Sequence, residues 1–339
     1  MKKLYIQIII LLLFSCSAWS QNSYQLTQYF QNAPAFNPAF TGIDNFTDVK
    51  IGYRQSWTGI DNSARTLYAS VYGLLVRSKY DKIKSNSLRI SDPSLYESND
   101  SESFKRSAAI KHGIGGYLIN DQFGPFNRTY GFLSYSFHYP LTRNIQLAVG
   151  FSGGINRTRI DAEKVQVKNP DIDATYQSFL AGNAVSNNLD VNAGMVLYSE
   201  RLYLGYAAQR LLQNPVFNND EVSTEQDAIG HIISAGYIVP LGSDYLFMPS
   251  VATTLQPGLP SIIDINAKIR YQKNYWLGMN YRDSQALSIM GGVFINETYN
   301  LSYSYDFSLD GVSQYIQGSH ELVLGIMLNN DRGNVPFAW

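Results

Sequence analysis

Tyr299-Asn300-Leu301-Ser302-Tyr303-Ser304-Tyr305-Asp306-Phe307-Ser308-Leu309-Asp310 is the stretch that decides the fold. Every odd position is large and apolar, and every even position is small, polar or acidic. A strand turns successive side chains to opposite faces, so this run has one apolar face and one wet face. A helix would scatter the same residues around its axis. In a soluble sandwich the apolar face would meet a second sheet. In an outer-membrane barrel it would meet lipid, and the wet face would line the lumen.

The same alternation recurs along the chain. Val49, Ile51 and Tyr53 form one face of a first strand, and Leu67, Ala69 and Val71 one face of its return. Leu133, Tyr135, Phe137 and Tyr139 follow, then Ile145, Leu147, Val149 and Phe151. Later runs cover 189–198, 202–210, 231–239, 245–255, 262–271, 275–281 and 286–295, and a final strand spans 320–328. The reading is all-β: a transmembrane antiparallel barrel of about fourteen strands, each of roughly ten residues, the length a tilted strand needs to cross a bilayer. Connection lengths agree. With both ends periplasmic, the short turns at 140–143, 199–200, 241–243, 272–274 and 296–297 fall on the periplasmic side, and the long loops after Gly154, Arg210 and Phe307 on the outer side. Polar 77–107 breaks this rule and reads as a periplasmic insertion, with a hidden strand pair as the alternative.

Charged residues make up only 16% of the chain and the net charge is −1, so no electrostatic case exists for nucleic acid. Lys2 and Lys3 precede the apolar run Leu4–Phe14, too short for an ordinary membrane helix, and Ala18-Trp19-Ser20 offers a small-x-small cleavage site before Gln21. Residues 1–20 therefore read as a signal peptide, with lipoprotein processing at Cys16 as the alternative. Cys16 is the single cysteine, so a chain cleaved after it has no disulfide. Residues 21–46 form an irregular, aromatic segment punctuated by Pro34 and Pro38, either a flexible lead-in or a plug or latch in the barrel. The barrel proper covers 47–329, and 330–339 is a periplasmic tail.

Little here suggests catalysis. His112, His138, His231 and His320 lie on separate strands without metal-ligand spacing, and Ser319 and adjacent His320 point to opposite faces. Asp171-x-Asp173 is a solvated turn rather than a calcium loop. Gly113, Gly115 and Gly116 lack a P-loop's Lys-Ser/Thr and read as backbone room in a barrel wall. No cofactor, metal or catalytic residue is expected. Asp264, Lys268, Arg270 and Arg282 share faces opposite aliphatic residues and are the lumen-facing candidates, pairing with one another or holding a plug.

Several stretches resemble the PorP/SprF family of outer-membrane proteins from the type IX secretion system of Bacteroidetes. Gln28-Tyr29 with Asn37-Pro38-Ala39-Phe40-Thr41-Gly42 is similar to its opening motif, and Tyr53-Arg54-Gln55-Ser56-Trp57 to its first-strand motif, with Ser56 where many members have Gln. Tyr303-Ser304-Tyr305-Asp306 and Gly318-Ser319-His320-Glu321-Leu322 match the closing pair. The resemblance implies a non-enzymatic outer-membrane barrel that works with periplasmic components of the secretion system. It also implies a large secreted adhesin as partner, in some species for gliding motility. From the residues alone, a passive porin or FadL-like hydrophobic-solute channel is the alternative. The closing hairpin places Asp306, Ser319, His320 and Glu321 in an expected polar cluster at the outer mouth.

Overall fold

The computed structural model describes residues 26–75 except 61, 110–161 except 143, 164–165, 172–173, 176–177, 185–215, 228–309 except 273 and 284, 316–330 and 336–337. The leader with Cys16 and the 77–107 insertion lie outside the described residues.

Fifteen strands form one antiparallel sheet that closes on itself. They are β1 (Thr47–Gln55), β2 (Arg65–Leu74), β3 (Lys111–Phe123), β4 (Phe126–Pro140), β5 (Gln146–Ile160), β6 (Val185–Tyr198), β7 (Leu202–Pro215), β8 (Gly230–Tyr237), β9 (Val239–Leu241), β10 (Tyr245–Leu255), β11 (Ile262–Tyr271), β12 (Tyr275–Arg282), β13 (Ala286–Phe294), β14 (Tyr299–Ser308) and β15 (Ser319–Leu328). β8 and β9 both pair with β10 and are two halves of one stave, so the barrel has fourteen staves. The stave breaks at Ile238, whose N–H turns to the Arg201 carbonyl. Closure comes from β15 on β1, with Gln55 opposite His320 and Thr47 opposite Leu328. A closed ladder leaves no edge, and in lipid only such a closed sheet satisfies every strand's backbone groups.

The alternation of Tyr299–Ser308 is laid down as the sequence predicts. Tyr299, Leu301, Tyr303 and Phe307 are exposed on the outside, while Asn300, Ser302, Ser304 and Asp306 are buried inside. The same holds around the ring, from Leu133 at 77% exposure to Leu277 at 65%. Such a band of apolar side chains standing free of other protein is what a lipid-facing wall requires.

Two boundaries differ from the sequence reading. The polar stretch from Asn156 is not loop throughout: β5 continues to Ile160 and pairs with β6 from Val185, putting Asn156 opposite Asn188. β7 likewise runs on to Pro215 past a bulge opposite Val191–Ala193, where Arg210 has φ 60. Polar residues hide strand character when neither face is buried in lipid, so these extensions were invisible to a pattern built on apolar alternation.

Leu26–Phe46 lies inside the ring. It forms three short helical turns, Tyr29–Asn32, Ala33–Phe36 and Pro38–Phe40, and contributes to both hydrophobic clusters of the interior. Pro34 and Pro38 occupy first-turn positions, where a missing N–H costs nothing. The segment runs from Leu26, near the end where β1 and β2 join, here the far end, down to the end where β1 starts and β15 finishes, the terminal end. The tail also turns inward: Phe337 is buried against Tyr203, with ring centroids 5.6 Å apart, and its N–H donates to Asp44 at 3.0 Å.

Candidate functional site: the seat of the N-terminal segment

Three distant stretches meet at the far end of the lumen. β1 brings Arg54, β14 brings Asp306 and β15 brings Glu321, all on inward faces because of strand parity. The register sets Arg54 directly opposite Glu321, and Ser304 beside it. Arg54 Nη2 lies 2.7 Å from Asp306 Oδ2, and Nη1 lies 3.4 Å from Glu321 Oε2. All three side chains are buried, Glu321 completely. One cation between two carboxylates leaves acceptor capacity over, and the N-terminal segment fills it. Thr27 donates its N–H to Glu321 Oε2 at 2.8 Å and its hydroxyl to Asp306 Oδ2 at 2.6 Å. Arg54 in turn donates to the Thr27 hydroxyl oxygen. Gln28 Nε2 donates to the Glu321 carbonyl at 3.3 Å, and the Tyr68 hydroxyl to Glu321 Oε1 at 3.3 Å. Charges taken out of water need such partners, since an uncompensated one costs several kcal/mol.

The four residues expected to share a polar cluster are divided by the fold. Asp306 and Glu321 sit at the far end but are sealed between wall and segment. Ser319 is buried and accepts from the Trp57 N–H at 3.2 Å, while His320 faces outward, its Nδ1 2.6 Å from the Tyr303 hydroxyl. Trp57, Gly318 and Tyr305 do structural work at the rim. The Thr58 N–H donates to the Gly318 carbonyl at 2.9 Å, and the Tyr305 hydroxyl donates to the Gln317 carbonyl. Gly318 has φ 93, and a Cβ there would press on the Asp306 carbonyl, so no other residue fits.

A second ion pair flanks the segment. Arg282 Nε lies 2.9 Å from Asp264 Oδ1, and Arg282 Nη2 donates to the Leu26 carbonyl at 3.3 Å. Both sequence alternatives are realised here: the candidates pair with each other and also hold the segment. Lys268 places its ammonium 3.5 Å from the centre of the Phe30 ring, a cation–π contact made in a desolvated interior. Arg270 is buried on the same inner face, nearer the terminal end. Tyr29 donates nothing to the far-end cluster; its hydroxyl accepts from Asn266 Nδ2 at 2.9 Å.

At the terminal end residues 37–42 are held mainly by neutral groups, beside an ion pair of buried Lys50 with Asp48 on β1. Asn37 caps the third helical turn by accepting from Ala39 N–H at 3.0 Å. Its Nδ2 donates to the carbonyls of Tyr206 at 3.2 Å and Met195 at 3.3 Å on β7 and β6. Gly194 and Gly205 make this approach possible, because a Cβ on either would meet the Asn37 amide. Gly150 does the same for the Pro38–Ala39 backbone, and Gly113 for Thr41 and Gly42. Gly113 is one of the glycines read from the sequence as backbone room in the wall; Gly150, Gly194 and Gly205 do the same work without having been singled out there. His138 Nε2 lies 2.9 Å from the Thr41 carbonyl. A carbonyl can only accept, so Nε2 carries the proton; Nδ1 lies 2.7 Å from the Tyr198 hydroxyl, which donates to Gln146 Oε1 at 2.7 Å. Asp173 lies apart from all of this and accepts from the Tyr176 N–H at 2.9 Å; Asp171 is outside the described residues.

Sequence reasoning missed Thr27, Tyr68, His138 and Phe337. Tyr68 left a signal. It is a large ring on the small, inward face of β2, directly opposite Gly52, whose missing side chain is the space the ring occupies.

The architecture is that of an outer-membrane β-barrel with an occupied lumen. The sequence profile of the type IX secretion system membrane protein PorP/SprF matches residues 18–326, and the chain belongs to that family. No curated protein matches the sequence. Among solved structures, the Ralstonia pickettii toluene transporter TbuX is similar at TM-score 0.51 and 10% identity, covering 87% of this chain and 92% of its own. The Pseudomonas putida toluene transporter TodX gives TM-score 0.43 and 8% identity, with 92% and 94% covered. At such identity the likeness to TbuX speaks for the fold alone.

Proposed function

We propose that this protein is a closed, non-enzymatic barrel of the type IX secretion system. It assists the secretion or surface retention of a large adhesin-type partner and contacts periplasmic machinery at its terminal end. The signal peptide at 1–20 delivers it, and the terminal end faces the periplasm. One observation carries the reading. Family-motif residues from the N-terminal segment, the first strand and the closing hairpin converge on the Arg54–Asp306–Glu321 cluster and hold the segment in the lumen. Residues spent on closing the lumen favour a docking and retention component over a permeation path. Deleting the gene and profiling surface and secreted proteins tests it. Loss of a large adhesin from the cell surface is expected, and an unchanged surface protein set would contradict it.

A passive hydrophobic-solute channel is the second reading. A cavity of about 140 Å³ lies over the segment, walled by Tyr29, Phe36, Tyr117, Tyr130 and Phe132, and the toluene transporter TbuX has a similar fold. Solute uptake by the reconstituted barrel would favour this reading.

A further inference from the structure

We infer that β2–β6 carry, on the lipid-facing side at the far end, a binding surface for the phosphorylated headgroup of an outer-leaflet glycolipid. The inference rests on the orientation given above, with the terminal end periplasmic.

The barrel is lopsided. β3–β7 have 13 to 15 residues each, whereas β11–β15 have 8 to 10. On β5 the outward face reads Phe151, Gly153, Ile155 and then Arg157 and Arg159, both exposed. Apolar side chains thus give way to two guanidinium groups at the upper border of the lipid belt. The ladder makes this a contiguous patch. Arg159 lies opposite Asn127, Asn127 is itself opposite Gln122 across the next ladder, and Gln122 is opposite Arg65 on β2. One row lower, Arg157 lies opposite Thr129. At about 4.8 Å per strand, Arg65 stands roughly 14 Å from Arg159, and the two rows are about 7 Å apart along the strand.

Charge and chemistry fit one kind of partner. None of the three arginines has an ion pair or hydrogen bond among the described residues, and the described outward positions of β2–β6 include no carboxylate. Asp161, just past β5, is neutralised by Lys164 at 3.0 Å. Guanidinium forks suit phosphate bidentately, and the amides and hydroxyl between them suit sugar hydroxyls. Their height, directly over Ile155 and Leu67, is where the headgroup of a lipid seated against those side chains would lie. The opposite side of the barrel offers no such surface: outward far-end positions there include Ile263, Tyr281, Leu287, Phe307 and His320, the last tied to Tyr303, and the exposed carboxylate of Asp283 lies just past β12.

The test is native mass spectrometry of the full-length, detergent-solubilised protein with three lipids: a bisphosphorylated glycolipid, the same lipid after phosphatase treatment, and phosphatidylglycerol. Wild type should retain the phosphorylated glycolipid. The Arg65→Gln/Arg157→Gln/Arg159→Gln variant should lose at least about tenfold in retention, and the matching Arg→Lys variant less. Equal retention by the Gln variant would overturn the proposal, as would equal binding of the dephosphorylated lipid or of phosphatidylglycerol by wild type. All three positions are exposed, so folding should survive, as gel migration of the unheated barrel will report. Orientation is read separately by antibody labelling of a tag in the Gly124 turn on intact cells. Absence of label would overturn the outer-leaflet assignment, and neither readout depends on adhesin secretion.

Discussion

The N-terminal segment is held at both ends, by opposite means. At the far end the hold is ionic: one arginine, two carboxylates and the Thr27 backbone and hydroxyl, all out of water. At the terminal end the direct contacts are mainly neutral and steric: an asparagine amide, the His138 ring, close backbone approach at wall glycines, and the rings of Phe40, Tyr203 and Phe337, with the Lys50–Asp48 pair alongside. An ionic seat is all-or-none, because removing one member strands the others in low dielectric. A steric seat degrades gradually, by as much volume as is added or removed. The difference teaches that the far end fixes whether the segment is bound at all, and the terminal end fixes how well it fits.

The largest effect should follow Arg54→Met. It leaves Asp306 and Glu321 facing each other without a cation, at a cost of about 3–5 kcal/mol, measured as a lower unfolding midpoint in denaturant. Adding Asp306→Asn and Glu321→Gln to that variant should restore most of the loss; no restoration would break the ionic account. Next comes Gly150→Val, which drives a side chain into the Pro38–Ala39 backbone. About 1–3 kcal/mol is expected from overpacking, with protease cutting newly seen between residues 26 and 46 while the barrel stays intact. Asn37→Ala should cost about 1–2 kcal/mol by leaving two wall carbonyls without their donor, again seen in the unfolding midpoint. Phe30→Leu should be smallest, about 1 kcal/mol, through loss of the Lys268 contact and the edge-on packing against Trp276 at 5.7 Å. Were Asn37→Ala to exceed Arg54→Met, the assignment of dominance to the far end would be reversed.

Most of the barrel was legible because lipid imposes a strict rule. Tyr303, Tyr305 and Phe307 alternate with Ser304 and Asp306 since one face must be apolar at every second residue. Where the wall rises past the hydrocarbon of the lipid, as at Arg157–Ile160, the rule lapses and the strand was read as loop. Inward parity also identified Asp264, Lys268, Arg270 and Arg282, but parity gives direction and not partners. That Arg282 reaches the Leu26 carbonyl across 256 residues of sequence depends on how the segment is threaded, and no local pattern encodes this. The site was visible only as motif positions. Arg54, Asp306 and Glu321 stood out singly, while Thr27 carried no signal: one of its bonds comes from a backbone N–H that every non-proline residue possesses, and its hydroxyl meets Asp306 and Arg54 only through the fold. His138 was set aside for lacking metal spacing, and its contacts with the Thr41 carbonyl and the Tyr198 hydroxyl needed the fold to appear.

The account turns on the segment occupying and closing the lumen. Single-channel recording in planar bilayers addresses this directly, comparing full-length protein with the Gly150→Val variant and with a variant lacking residues 26–46. Wild type should show no steady conductance, the deletion a persistent open level, and Gly150→Val intermittent opening. A wild-type conductance equal to that of the deletion would show that the segment does not close the barrel and would contradict the account.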